Sequence, residues 1–68
     1  MDWRRVDGGP VKRLRLAKGL TQEQLALEAE IDLTYAGGIE RGTRNPSLLV
    51  MVRIARALDA VPADLLKR

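Results

Sequence analysis

The chain has 68 residues and therefore holds at most one small domain, whose core can supply only modest stability. It contains no cysteine and no histidine, which excludes disulfides, thiolate chemistry, the usual zinc ligand sets and imidazole acid–base chemistry. No apolar run reaches transmembrane length, and no signal-peptide h-region follows the N-terminus. We therefore expect a cytoplasmic protein without a metal or other cofactor.

The net charge is +3, but its distribution along the chain is more informative than its sum. Residues 1–18 carry six basic and two acidic side chains, and residues 41–68 repeat that balance. Residues 19–40 between them carry five acidic side chains and no basic one. Either this is a solvated surface of mixed sign, or the two basic flanks contact nucleic-acid phosphates around the acidic middle.

The N-terminal segment leads into a first predicted helix. Residues 1–10 show no hydrophobic periodicity, and we expect a flexible arm. Its Trp3 either folds back onto the core or lies in a partner interface. A helix is predicted over about residues 11–18, because Pro10 suits a first helical position and Gly19 suits the position just past a helix end.

Two helices joined by a very short turn follow. Thr21 and Gln24 form a capping-box pattern that starts helix 2. The apolar residues of this helix form a predicted buried stripe of Leu25, Ala26 and Ala29. Asp32 is a good N-cap for helix 3, which covers about residues 33–41 and stops at Gly42. So tight a connection between two helices is typical of a helix-turn-helix.

The C-terminal part predicts two further helices. Ser47 caps helix 4, which extends to about Leu58. Apolar residues follow helical spacing along it at Leu48, Met51, Ile54, Ala55 and Leu58. Three more, Leu49, Val50 and Val52, exceed what one buried face requires; either a neighbouring loop covers them or they form a subunit interface. Residues 61–66 predict a short fifth helix beginning near Pro62, and no period-two alternation predicts a sheet.

With these elements in place, residues 11–68 resemble the helix-turn-helix DNA-binding domain of the Cro/C1-type repressor family (the XRE family). The resemblance rests on Leu14-Arg15 and on the segments GLTQEQLA (19–26), IERG (39–42) and RNPSL (44–48). The segment IDLTYAGGIERG (31–42) is most similar to restriction-modification controller proteins. The resemblance implies an all-α, five-helix, lambda-repressor-like domain.

The resemblance also implies roles for individual residues. Helix 3 would be the recognition helix in the major groove of double-stranded DNA. Its base-facing residues would be Leu33, Thr34, Tyr35, Gly37 and Gly38. The phosphate-contacting residues would be Gln22, Arg41, Thr43, Arg44 and Asn45. Arg15 and Glu40 match a buried ion pair that ties helix 1 to helix 3.

Several residues depart from the family's pattern. Glu30 occupies a turn position where the family usually has glycine and where a left-handed backbone is expected. Leu33 replaces an arginine that is common in close relatives. Gly37 and Gly38 interrupt a short helix, each at a cost of roughly 1 kcal/mol relative to alanine. Asp59 stands where glycine would normally end helix 4. Either the glycines let the helix approach DNA closely, or DNA binding is weakened and the domain serves protein contact.

From these features we expect a transcriptional regulator, such as a repressor, that acts as a homodimer on a pseudo-palindromic operator. Helix 5 and exposed apolar residues of helix 4 are the candidate dimer interface. The alternative is a protein-interaction module, such as an antitoxin with weak or lost DNA binding. An enzyme is not expected, because there is no nucleophile–base pair, no metal-ligand set and no glycine-rich phosphate loop. No membrane partner and no small-molecule ligand is expected either.

Overall fold

The computed structural model describes residues 8–66. Within this range it has four α-helices, one 3₁₀ helix and no strand. The α-helices are α1 (Gly9–Ala17), α2 (Gln22–Ala29), α3 (Leu33–Arg41) and α4 (Leu48–Ala57), and the 3₁₀ helix is Pro62–Leu66. Helix α1 begins at Gly9, two residues before its predicted start, with Gly8 as its N-cap. Residues 1–7 of the predicted arm, including Trp3, lie outside the described residues.

The last element is a 3₁₀ helix, so the prediction of a fifth α-helix was wrong in type although right in place. Pro62 has no backbone N–H, and five residues are too few for a sustained α-helical ladder. The Asp64 N–H donates to the Val61 carbonyl at 2.9 Å, three residues back, as in a 3₁₀ turn. Leu65 is fully buried, so this short segment still closes one side of the core.

The core lies between α2, α3 and α4, and α1 and the 3₁₀ helix cover its remaining sides. The buried stripe predicted for helix 2 is confirmed, and the predicted inward residues of helix 3, Ala36 and Ile39, are also buried. Leu48 follows the same helical spacing as the buried residues of α4, but 73% of it is exposed. It is the first residue of α4, one turn before Met51, where the buried face of that helix begins.

Each of the four α-helices in the described range is followed, within two residues of its end, by a residue in the left-handed conformation. These residues are Gly19 (φ +76), Glu30 (φ +58), Gly42 (φ +79) and Asp59 (φ +54). After Glu30, for example, the Ile31 N–H donates to the Ala26 carbonyl at 2.9 Å, which is the 6→1 bond of a Schellman motif. The left-handed backbone expected at Glu30 is therefore confirmed. A residue with a Cβ is strained there by roughly 1–2 kcal/mol relative to the right-handed form.

Candidate nucleic-acid interface

Side-chain caps start both helices of the α2–turn–α3 unit. The Thr21 hydroxyl accepts a hydrogen bond from the Gln24 N–H at 3.1 Å, and the Gln24 side-chain carbonyl accepts one from the Thr21 N–H at 2.8 Å. This is the complete capping box that the sequence predicts. At the start of α3 the Asp32 carboxylate accepts a hydrogen bond from the Thr34 N–H at 2.9 Å. Local hydrogen bonds thus fix where each helix begins.

A buried ion pair joins α1 to the end of α3. Arg15 Nε donates to Glu40 Oε2 at 2.7 Å, and Arg15 Nη2 donates to Glu40 Oε1 at 3.1 Å. The two side chains are only 9% and 3% exposed, respectively. Arg15 Nη1 donates to the Leu20 carbonyl at 2.8 Å, and Glu40 Oε1 also accepts from Gln22 Nε2 at 3.0 Å. One carboxylate therefore connects side chains from three helices.

The hydrogen bond to Glu40 places the Gln22 side chain against α3. A Cβ built on Gly37 would lie 3.5 Å from Gln22 Oε1, so the amide group lies beside the middle of that helix. Gln22 is also the first residue of α2, where free backbone N–H groups and the helix dipole favour an anion. Its second Nε2 hydrogen gives the side chain a further donor.

The five residues predicted to face bases do not share one environment. Leu33 and Thr34 are exposed at the start of α3, and Leu33 is 42% exposed. Tyr35 is half-buried, packs against the core and donates its hydroxyl to the Asn45 carbonyl at 3.3 Å. Gly37 and Gly38 are buried, because side chains that follow them in the sequence lie over them. A base-facing role for all five stays a prediction.

The loop after α3 carries the exposed polar residues predicted to meet phosphates. Arg41, Thr43, Arg44 and Asn45 are all exposed. The Thr43 hydroxyl donates to the Gly38 carbonyl at 3.2 Å. The guanidinium carbon of Arg44 lies 5.7 Å from the centroid of the Tyr35 ring, within the range of a cation–π contact. The structure thus brings Tyr35 to the loop, a contact that residue spacing did not indicate.

Gly8 lies near this site, although the sequence predicts it to belong to the flexible arm. A Cβ built on Gly8 would overlap the main-chain carbonyls of Ile39 and Glu40. The start of α1 therefore packs directly on the last turn of α3. Only the glycine-rich composition of residues 8–9 could have indicated so close an approach.

The described part of the chain holds no group of three or more acidic side chains placed to bind a metal ion. None of its helices is long and apolar enough to cross a membrane.

A family model described as helix-turn-helix matches residues 11–66, which is most of the chain. The chain belongs to the helix-turn-helix family. It is 47% identical over 60 residues to the control protein C.BamHI of Bacillus amyloliquefaciens, an alignment that covers 87% of this chain and 74% of that protein. It is also 37% identical over 65 residues to the HTH-type transcriptional regulator y4dJ of Sinorhizobium fredii, an alignment that covers 96% of this chain and 84% of that protein. Together with the solved structure of a controller protein, these matches confirm the predicted resemblance to restriction-modification controller proteins and the predicted class of helix-turn-helix transcriptional regulators.

Solved structures agree with this assignment. The restriction-modification controller protein C.AhdI of Aeromonas hydrophila superposes with a TM-score of 0.83 at 48% identity, covering 85% of this chain and 88% of that one. The hypothetical transcription factor NHTF from Neisseria superposes with a TM-score of 0.87 at 33% identity, covering 97% of this chain and 76% of that one.

Proposed function

We propose that this protein binds specific double-stranded DNA sequences through α3 in the major groove and regulates transcription as a homodimer. The observation that carries the proposal is the Glu40 carboxylate, which accepts hydrogen bonds from Arg15 and Gln22. These bonds fix α3 relative to α1 and α2. A recognition helix requires such rigidity, because small changes in its orientation move its side chains away from base edges and phosphates.

The charges around α3 support the same proposal. Glu40 is buried in its ion pair, whereas Arg41 and Arg44 are exposed at the C-terminal end of the helix. The phosphate-contacting set would be Gln22, Arg41, Thr43, Arg44 and Asn45. The two arginines and the N-terminus of α2 would then contact the DNA backbone on either side of the groove.

Sequence would be read mainly at the start of α3, where Leu33 and Thr34 are exposed. Leu33 offers an apolar contact that suits the methyl group of thymine, and the Thr34 hydroxyl can donate or accept a hydrogen bond. Tyr35, Gly37 and Gly38 complete the proposed base-facing set. The absence of a side chain at Gly37, where the nearest atom is the far end of Arg41, would favour close approach of the helix over extensive hydrogen bonding.

Selection of binding sites from random duplexes, with the mass of the complex measured in parallel, tests this function. We expect the enriched sites to be inverted repeats whose half-sites lie about one helical turn apart, bound by two chains. A selected pool that shows no enrichment, together with no DNA shift at low ionic strength, would contradict the proposal.

The proposed homodimer would use apolar residues exposed on α4, on the 3₁₀ helix and at Val61, which directly precedes that helix. Each is more than half exposed: Leu48 73%, Leu49 59%, Val61 58% and Leu66 59%. A two-fold dimer buries the same patch on both subunits, so each residue would contribute twice.

Leu49→Glu is expected to weaken dimerisation by at least about 100-fold. Burying one leucine is worth roughly 1.5–3 kcal/mol, and the symmetric interface would lose two. Sedimentation equilibrium measures the dissociation constant. Leu27→Glu is the matched control, because Leu27 lies on α2 and is 80% exposed. An unchanged dimer for Leu49→Glu, or equal disruption by Leu27→Glu, would show that this patch is not the interface.

A protein-interaction module is the second candidate, favoured by the same exposed apolar residues on α4 and by exposed Leu27. In that case a stable heterologous partner would be recovered with the protein, and no salt-sensitive DNA shift would be seen at low ionic strength.

A further inference from the structure

The two glycines inside α3 have different surroundings. A Cβ on Gly37 would lie 3.0 Å from Arg41 Nη1, the far end of a long side chain that can move aside. A Cβ on Gly38 would overlap Arg44 Cγ and would lie 3.3 Å from Arg44 Cβ. These atoms are close to the main chain, so they can move only if the whole Arg44 side chain changes its conformation. The space beside Gly38 is therefore occupied by the Arg44 stem.

The same arginine is held from a second side. Its guanidinium carbon lies 5.7 Å from the centroid of the Tyr35 ring, and the Tyr35 hydroxyl donates to the Asn45 carbonyl at 3.3 Å. The loop backbone is anchored to the glycine as well, because the Gly38 carbonyl accepts from the Thr43 N–H at 2.9 Å and from the Arg44 N–H at 3.2 Å. Arg44 is nevertheless exposed, so this arrangement leaves it accessible to a ligand.

We propose that Gly38 and Tyr35 form a seat that positions the Arg44 guanidinium for a phosphate oxygen of DNA. The inference rests on the proposed function and assigns Gly38 a positioning role through Arg44. An arginine already held in one place loses less side-chain freedom on binding than a freely moving one. This role explains why glycine, a poor helix former, occupies position 38 inside α3: any larger residue there would displace Arg44.

A double-mutant cycle tests the seat with a mixed-sequence duplex of about three helical turns at low salt. Phosphate contacts do not depend on sequence, so this probe reports on Arg44 directly. Gly38→Ala is expected to weaken binding about 3–10-fold, the range for immobilising one long side chain. In the Arg44→Ala background, Gly38→Ala should weaken binding by less than about a further twofold, which is within the deviation from additivity seen for independent sites. Gly37→Ala is the matched control, and its effect should add fully to that of Arg44→Ala.

Nuclear magnetic resonance measures a chemical shift that would not change if Gly38 served only to stabilise α3. The Arg44 δ-protons should carry an upfield ring-current shift from Tyr35 in the wild type and in Gly37→Ala, and should lose it in Gly38→Ala. If Gly38→Ala does not fold, Tyr35→Leu tests the other half of the seat and should add no loss in the Arg44→Ala background. Tyr35→Phe keeps the aromatic ring, so in this variant Arg44→Ala should weaken duplex binding as much as it does in the wild type.

The outcomes separate the seat from the proposed function. A wild type that binds the duplex, with independent losses for Gly38→Ala and Arg44→Ala, would overturn the seat alone. A wild type that shows no salt-sensitive binding would overturn the proposed function and the seat with it.

Discussion

Glu40→Gln is expected to lower the free energy of unfolding by about 3–5 kcal/mol, the range for removing one partner of a buried ion pair. The change keeps the shape of the side chain but leaves the Arg15 guanidinium buried without a counter-charge. The Glu40 side chain is only 3% exposed, so water cannot replace the lost interaction. A core of this size rarely supplies more than about 3–5 kcal/mol, and the variant should be largely unfolded. Urea unfolding followed by circular dichroism measures the loss.

Two controls distinguish the charge effect from a general effect of substitution. Asp59→Asn makes the same chemical change in an exposed pair, in which Lys18 and Asp59 lie 2.9 Å apart with side chains 35% and 80% exposed, and should cost less than about 1 kcal/mol. The double change Arg15→Met with Glu40→Leu removes both charges and should be less destabilised than Glu40→Gln. Equal, small losses in Glu40→Gln and Asp59→Asn would contradict a structural role for the buried pair.

Gly8→Ala is expected to lower the free energy of unfolding by about 3 kcal/mol, the upper end of the range for overpacking. The new methyl group would overlap the carbonyls of Ile39 and Glu40, which belong to the backbone of α3 and cannot rotate away. The start of α1 must therefore move, which also strains the bond from Arg15 to Glu40. The backbone itself is not the obstacle, because φ at Gly8 is −71°, a value that alanine adopts readily.

Gly37→Ala is the control for this prediction, since it adds the same methyl group where the nearest atom is the far end of Arg41. It should leave stability unchanged or raise it by up to about 1 kcal/mol, because alanine favours a helix over glycine. Thermal unfolding of both variants makes the comparison. A Gly8→Ala variant as stable as Gly37→Ala would show that α1 does not pack directly on the backbone of α3.

The features that were most predictable from the sequence are those that depend on residues close together in the chain. The capping box of Thr21 and Gln24 was predictable because both partners lie within four positions of each other. The same holds for Ser47, whose hydroxyl accepts from the Val50 N–H at 3.2 Å. Glu30 was recognised as left-handed because it stands where related chains have glycine.

Contacts between distant segments were harder to predict without a family resemblance. The sequence predicts an arm at Gly8, because no neighbouring residue indicates that Gly8 packs against the Glu40 carbonyl. The sequence predicts Gly38 to face bases and to weaken α3, and it does not indicate that the Arg44 stem covers this glycine. The type of the last helix also escaped prediction, since a short segment starting at Pro62 suits either an α-helix or a 3₁₀ helix.

The salt dependence of duplex binding tests the docking of α3 and its loop most directly. Each phosphate contact contributes about 0.9 to the slope of log affinity against log salt, so Arg44→Ala should reduce the slope by about 1 per subunit and weaken binding to all sequences. Arg56→Ala, an exposed arginine in the last turn of α4, should keep the wild-type slope. Wild-type affinity and slope in Arg44→Ala would contradict the docking that we propose.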